Sequence, residues 1–281
     1  MIRRVLPFLA LTLAAGTAEA QYSAYALRTN DAGAQELVTF NTANPAGVSV
    51  VGLTGQTLRG LDFRVSNNVL YGYDGLNVYT INTTTGTASL FSDVGDITGM
   101  NLGYGVDFNP VPNALRLTST GGANLRVTGP ALSTTLTDGT LNVGLAAVAY
   151  TNNDTDPATG TTIYGIDAAA GTLLTAADPN SGQYTVVGSL GIGSALANTV
   201  GFDITTVGGV NTAFLQAAMG GGISRLYTVN LSNGAATLIG NIGSPRQLEG
   251  LAVATVPEPG TWALLGTGML GLGAVARRRR A

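Results

Sequence analysis

Gly60-Leu61-Asp62-Phe63 is a short phrase that the chain repeats. Gly105-Val106-Asp107-Phe108, Gly144-Leu145-Ala146-Ala147-Val148, Gly201-Phe202-Asp203-Ile204 and Gly250-Leu251-Ala252-Val253 follow at spacings of 45, 39, 57 and 49 residues. Each is a glycine ahead of a short apolar strand. A second phrase trails several of them. It reads Val78-Tyr79-Thr80-Ile81-Asn82 before Thr85-Gly86-Thr87-Ala88, Ile163-Tyr164-Gly165-Ile166-Asp167 before Ala170-Gly171-Thr172-Leu173, and Leu226-Tyr227-Thr228-Val229-Asn230 before Asn233-Gly234-Ala235-Ala236. Leu37-Val38-Thr39-Phe40-Asn41 with Val48-Ser49-Val50-Val51-Gly52 is a frayed first copy. Period-2 alternation between Asn-, Asp- or Thr-Gly turns reads as hairpin-linked strands. The Asn or Asp closing the strand and the Gly four residues on are expected to supply the positive-φ positions of that hairpin.

A unit near 45 residues with four short strands has the size of a propeller blade. Four near-complete units lie between Gly60 and Gly243. The strands from Tyr22 to Gly52 lack a preceding Gly-apolar strand, and the Gly250 to Ala254 strand lacks the rest of its unit. Together they make a fifth blade, which closes the ring and removes its exposed edges. The expectation is an all-β, five-bladed propeller of four short antiparallel strands per blade. A β-solenoid is the competing architecture, and a two-sheet sandwich fits the period less well.

Composition excludes most chemistry. Among 281 residues there is no His and no Cys, all 13 basic residues are Arg, and 40 are Gly. Imidazole bases, thiolates, disulfides and Schiff-base lysines are therefore unavailable.

The two ends read as addresses. Met1 to Ala20 has Arg3 and Arg4, an apolar stretch from Val5 to Ala15, and Ala18-Glu19-Ala20 as cleavage site, so it is expected to be a signal peptide exported through the Sec translocon. At the other end Val256-Pro257-Glu258-Pro259-Gly260 precedes an apolar run from Thr261 to Ala276 and then Arg277-Arg278-Arg279-Arg280. Sixteen helical residues reach ~24 Å, and Trp262 with the arginines extends both ends toward the interfaces of a membrane. The arginines place the tail's end in the cytoplasm.

This tail resembles the PEP-CTERM sorting signal of Gram-negative bacteria. The resemblance implies processing by a membrane-embedded exosortase and association with exopolysaccharide envelopes. The expected organisation is a signal peptide over 1–20, the propeller over 21–255 and the sorting signal over 256–281. Between the addresses lie 14 acidic residues and seven arginines. An acidic body argues against nucleic acid as a partner, and the membrane is engaged only through the C-terminal helix before processing.

One unit departs from the pattern. Asp107-Phe108-Asn109-Pro110, Asn113-Ala114-Leu115-Arg116-Leu117, Ala123-Asn124-Leu125-Arg126-Val127 and Thr137-Asp138-Gly139-Thr140-Leu141 resemble the DUF4394 family of bacterial extracellular domains. The resemblance extends over most of Tyr22 to Thr255 and carries no known reaction.

With His, Cys and Lys absent, carboxylates, Arg, Tyr and hydroxyls remain. Asp62, Asp107 and Asp203 recur on the first, innermost strand of their units. They either accept backbone N–H groups between blades or line the channel and ligate Ca²⁺ through oxygen. Asp107, Asn109, Arg116, Asn124, Arg126 and Asp138 form either an inter-blade polar network or an anion-binding site. Arg116 and Arg126, flanked by apolar residues on strands, call for a carboxylate partner. Asn152-Asn153-Asp154-Thr155-Asp156 alternates oxygens as a Ca²⁺ loop does, with Asp154 and Asp156 as ligands, but lacks the Gly and distal Glu of an EF-hand. The expected role is a non-enzymatic envelope or matrix protein among extracellular polysaccharide. The alternative is a secreted carbohydrate-active enzyme using Asp pairs.

Overall fold

A computed structural model describes residues 21–95, 103–154, 156–193, 196–219 and 222–254. The signal peptide with Ala18 and Ala20, the motif Pro257, Glu258 and Pro259, and Arg277, Arg278, Arg279 and Arg280 lie outside them. The chain first lays down β1 (Ser23–Thr29), β2 (Gln35–Asn41) and β3 (Asn44–Gly52). Blade 2 follows as β4 (Gly60–Arg64), β5 (Val69–Tyr73), β6 (Asn77–Ile81) and β7 (Ala88–Asp93). Blade 3 is β8 (Tyr104–Asn109), β9 (Ala114–Ser119), β10 (Asn124–Thr128) and β11 (Thr134–Thr137). Blade 4 is β12 (Ala147–Tyr150), β13 (Ile163–Asp167), β14 (Thr172–Ala176) and β15 (Thr185–Ser189). Blade 5 is β16 (Gly201–Val207), β17 (Val210–Met219), β18 (Ile223–Val229) and β19 (Ala236–Asn241). Finally β20 (Glu249–Val253) returns to pair antiparallel with β1, so blade 1 runs β20-β1-β2-β3.

The protein is therefore a five-bladed propeller closed by its own two ends. Ala24 faces Val253 and Tyr25 faces Ala252 across the seam, and Ala254 N–H donates to the Ser23 carbonyl at 2.9 Å. The inner strands β20, β4, β8, β12 and β16 touch one another around the axis. Side chains from all five leave only about 10 Å³ between Leu61, Val106, Val148, Phe202 and Leu251. That is room for no more than a single water, so the axis is plugged.

The core is divided among the blade interfaces. Leu27, Leu37 and Ala252 of blade 1 pack on Leu61, Phe63 and Leu70 of blade 2, and Tyr71 and Tyr73 on Phe108 and Leu117 of blade 3. Ile166 and Leu173 of blade 4 meet Phe202 and Leu215 of blade 5, whose Phe214 and Leu226 in turn meet Tyr22, Phe40 and Val253 of blade 1. Close approach of the inner strands is what demands glycine at their starts. A Cβ on Gly201 would lie 2.2 Å from the carbonyl carbon of Gly250.

Three details differ from the sequence reading. In blade 4 the counterpart of Gly60 is Ala147, three residues beyond Gly144, because Tyr150 N–H occupies the place of Phe108 N–H in the ring. Gly144 instead passes the Thr120 carbonyl, whose oxygen would be 2.6 Å from an added Cβ. In the hairpins only the glycine takes positive φ: Gly86 +71°, Gly171 +65° and Gly234 +81°. Asn82, Asp167 and Asn230 act through their side chains, accepting the N–H groups of Thr84, Ala170 and Ser232. The blade 4 copy of this hairpin also joins the second and third strands, whereas in blades 2 and 5 it joins the third and fourth.

Candidate functional site

The recurrent aspartates meet at the axis. Asp62, Asp107 and Asp203 are buried, each placing a carboxylate oxygen within 4.8 Å of the others. Each reaches across to the next inner strand. Asp62 Oδ2 accepts Phe108 N–H at 2.7 Å, Asp107 Oδ1 accepts Tyr150 N–H at 3.0 Å, and Asp203 Oδ2 accepts Val253 N–H at 2.5 Å. Asp62 and Asp203 use their second oxygens on the N–H of the following residue, Phe63 or Ile204. Backbone donors thus engage both oxygens of Asp62 and Asp203 and one of Asp107. The corresponding positions in blades 4 and 1 are Ala149 and Ala252.

Burial governs their protonation. Desolvation, then the Asp203 charge, holds Asp62 well above the usual carboxylate range. Desolvation and the charges of Asp62 and Asp203 do the same to Asp107. Asp203 is pushed up to about 6 by burial, against the pull of its two N–H donors. Five of the six carboxylate oxygens already accept backbone N–H groups, and Ca²⁺ takes six to eight oxygens, so these three side chains alone do not complete its shell.

The two strand arginines of blade 3 share one carboxylate. Arg116 Nη1 meets Asp138 Oδ2 at 2.7 Å and Arg126 Nη2 meets Asp138 Oδ1 at 3.2 Å. Arg116, 3 % exposed, also donates to Asn124 Oδ1, to the Tyr150 hydroxyl and to Asn180 Oδ1 of blade 4. Asn124 in turn donates to the carbonyls of Gly139 and Pro179. The guanidinium is consumed by a bridge between blades 3 and 4. Tyr150 and Asn180 were missed from sequence, although Asp178-Pro179-Asn180 is a turn signal. Asn109 accepts from Val111 N–H and the Thr161 hydroxyl, and its side chain also bonds Tyr150, the phenol that Arg116 contacts.

Asp154 and Asp156 hold their own turn: Asp154 Oδ1 accepts Asp156 N–H and the Thr159 hydroxyl, and Asp156 Oδ1 accepts Ala158 N–H. A carboxylate that sequence reading passed over is Glu249. It opens β20 in a cleft of about 250 Å³ with Arg28, Thr199 and Arg246, and burial pushes it up to about 7 against the charge of Arg59.

Comparison with known proteins bears on this architecture directly. Residues 36–252 match the model of a domain of unknown function, DUF4394. The chain belongs to the DUF4394 family. Residues 255–280 match the PEP-CTERM protein-sorting motif, which marks an exported protein processed by an exosortase and placed at or beyond the cell surface. No curated protein matches significantly. Solved structures that resemble the propeller include AofleA from Arthrobotrys oligospora, with 11% identity, 76% of this chain and 67% of that one covered, and a TM-score of 0.47. A candidate 6-phosphogluconolactonase from Bacteroides fragilis NCTC 9343 has 12% identity over 82% of this chain and 83% of its own, with a TM-score of 0.42.

Strand register in the DUF4394 domain reveals a further repeat. Directly opposed residues, read outward from the inner strand, form the row Asp62–Tyr71–Thr80–Ser89 in blade 2. Blade 5 has Asp203–Phe214–Thr228–Thr237, and blade 1 has Ala252–Tyr25–Thr39–Ser49. Blade 4 has Ala149–Tyr164–Thr175–Thr185. Blade 3 breaks the series with Asp107–Arg116–Arg126–Leu136. Opposed side chains share a sheet face. Four blades therefore present an aromatic ring and two hydroxyls toward the next blade, and the fifth presents its arginines.

Proposed function

We propose that this DUF4394 protein works by binding, not by catalysis, as an exosortase-processed propeller held among the extracellular polysaccharide of a Gram-negative cell. The reading rests on one observation: the aspartates suited to acid–base work are enclosed on the axis with backbone N–H groups on their oxygens. Glycoside cleavage needs two carboxyls flanking a bond that substrate can reach. The rows facing the inter-blade clefts carry aromatics and hydroxyls instead. Secreted, processed protein should co-sediment with the producing cell's extracellular polysaccharide and release no reducing ends from it. Failure to co-sediment, or reducing ends in proportion to added protein, would overturn the reading. Intact mass of the same material should lack residues 1–20 and the stretch beyond the Pro257-Glu258-Pro259 region.

A further inference from the structure

We propose that the cleft between blades 5 and 1 is a binding site for a neutral pyranose ring, the sugar unit of an uncharged polysaccharide. The proposal rests on the binding role above and names its site and ligand class. The cleft holds about 540 Å³ and is lined by Tyr22, Thr42 and Ala43 from blade 1 and by Thr212, Phe214, Thr228, Thr237, Leu238 and Ile239 from blade 5. That volume lies in the usual range of small-molecule sites. No Asp, Glu or Arg is among these residues, so the cleft offers a charged ligand no counter-ion.

The wall is built from the blade 5 row. Phe214 opposes Thr228, which opposes Thr237, and Thr212 shares their face two residues before Phe214. Adjacent strands stand ~4.8 Å apart, so Thr228 and Thr237 spring from backbones about as far apart as alternate equatorial hydroxyls on a pyranose. Neither hydroxyl, nor that of Thr212, makes a hydrogen bond among the described residues, and Tyr22, only 4 % exposed, likewise has no partner for its phenol. Thr42 is committed, accepting Tyr22 N–H at 3.1 Å. Phe214 and Tyr22 pack edge to face at 6.0 Å and form an apolar floor, and Leu238, 52 % exposed, stands at the rim. An apolar floor under a few uncommitted hydroxyls suits a ring with an apolar C–H face and polar edges.

Three other interfaces carry polar side-chain bridges. Two residues beyond Asp62, Arg64 reaches from blade 2 to the Asn113 side chain and the Pro130 carbonyl of blade 3, lying over the Tyr71 and Phe108 rings. Arg116 and Asn180 bridge blades 3 and 4, and the mutual bonds of Asn152 with Asn211 bridge blades 4 and 5. In blade 5 the residue two beyond Asp203 is Thr205, whose short side chain is buried with its hydroxyl unpartnered. To blade 1 the contacts are Asp203 Oδ2 on Val253 N–H, the Phe214 ring on Tyr22, and Gly243 N–H on the Pro45 carbonyl.

The test uses secreted, processed protein with methyl glycosides of the common neutral hexoses, read by saturation-transfer NMR and calorimetry. At least one should bind. Thr228→Val with Thr237→Val, and separately Tyr22→Phe, should each weaken it about tenfold or more, because each removes hydroxyls that the proposal has bonding the sugar. Thr137→Val, on the exposed β11, should leave binding unchanged. Raising salt from ~50 to ~500 mM should have no effect, since no ionic contact is involved. Binding that survives the cleft variants, or that salt abolishes, overturns the proposal. If no hexoside binds while the protein still co-sediments with polysaccharide, this site assignment falls and the binding role stands. If neither occurs, both fall.

Discussion

Between pH ~5 and pH ~8 the propeller is expected to lose stability, and Asp107→Asn is expected to remove part of that loss. Asp203 titrates near 6 in the folded protein against 3.8 for an ordinary carboxyl, which corresponds to about 3 kcal/mol. The sign follows from proton binding. A folded pKa above the unfolded one means the native state keeps a proton that the unfolded chain has released. Stability from this group is therefore complete below the unfolded value and is lost as pH rises through about 6. Asp62 and Asp107 shift in the same direction, and so does Glu249, whose loss is complete above about 7.

The two amide variants separate charge from hydrogen bonding. Asp107 commits only Oδ1 to a backbone donor, Tyr150 N–H at 3.0 Å. Asparagine keeps that acceptor and carries no charge. Asp107→Asn should then stabilise by about 1–3 kcal/mol at pH ~8, a melting shift of ~2–4 °C per kcal/mol, and change little at pH ~5. Asp203 uses both oxygens, on Ile204 and Val253. Asp203→Asn must turn an N–H toward one of those donors and should cost about 1–3 kcal/mol at both pH values. Thermal melts in EDTA across this range decide the matter. A wild-type melting temperature that climbs toward pH ~8, or Asp107→Asn as damaging there as Asp203→Asn, would refute the reasoning. Repeating the series in Ca²⁺ addresses the metal reading of the three aspartates. A rise in wild type that Asp107→Asn abolishes would make them a cation site.

Arg116→Ala should destabilise by about 3–5 kcal/mol in a thermal melt, because it leaves Asn124, Tyr150 and Asn180 without their shared donor and Asp138 with only the partly exposed Arg126. Arg126→Ala, whose side chain is 33 % exposed, should cost under ~1 kcal/mol. A chain ending at residue 248 loses β20 and with it Leu251 and Val253, each burying about 1.5–3 kcal/mol of apolar side chain. It should aggregate or melt far below one ending at residue 256, and equal melting temperatures would contradict ring closure.

The architecture was legible because a propeller writes itself at intervals short enough to see. Glycine followed by an apolar strand recurs at four of the five inner strands, and crowding at the axis excludes a Cβ from Gly60 and Gly201. Ring closure was legible from what the first and last units lacked. The slip at Gly144 has the same origin: Ala147 fills the glycine position in blade 4, and the nearest glycine stood three residues upstream. Arg116 and Arg126 betrayed their pairing because two charges on apolar strands need a carboxylate. Asp138 lies at a loop beside them and serves both.

The hydroxyl row was not legible, because its members are neighbours only through register. Phe214, Thr228 and Thr237 are far apart along the chain, and each taken singly is an ordinary strand residue. Glu249 was hidden for a related reason, since its raised proton affinity comes from the loops that close over it. The aspartate repeat was visible, but its role was not, because repetition around an axis changes the electrostatics of every copy. Among three carboxylates within 4.8 Å, the Asp203 charge already raises Asp62, and both raise Asp107. A charge at all five positions would add like charges to the same buried space, each costing several kcal/mol unless protonated. Ala149 and Ala252 stand where two of those charges would have been. The repeat therefore falters at the inner strand for an electrostatic reason. At the blade 5 and blade 1 interface Thr205 stands where blade 2 carries Arg64, and the cleft there leaves room for a ligand.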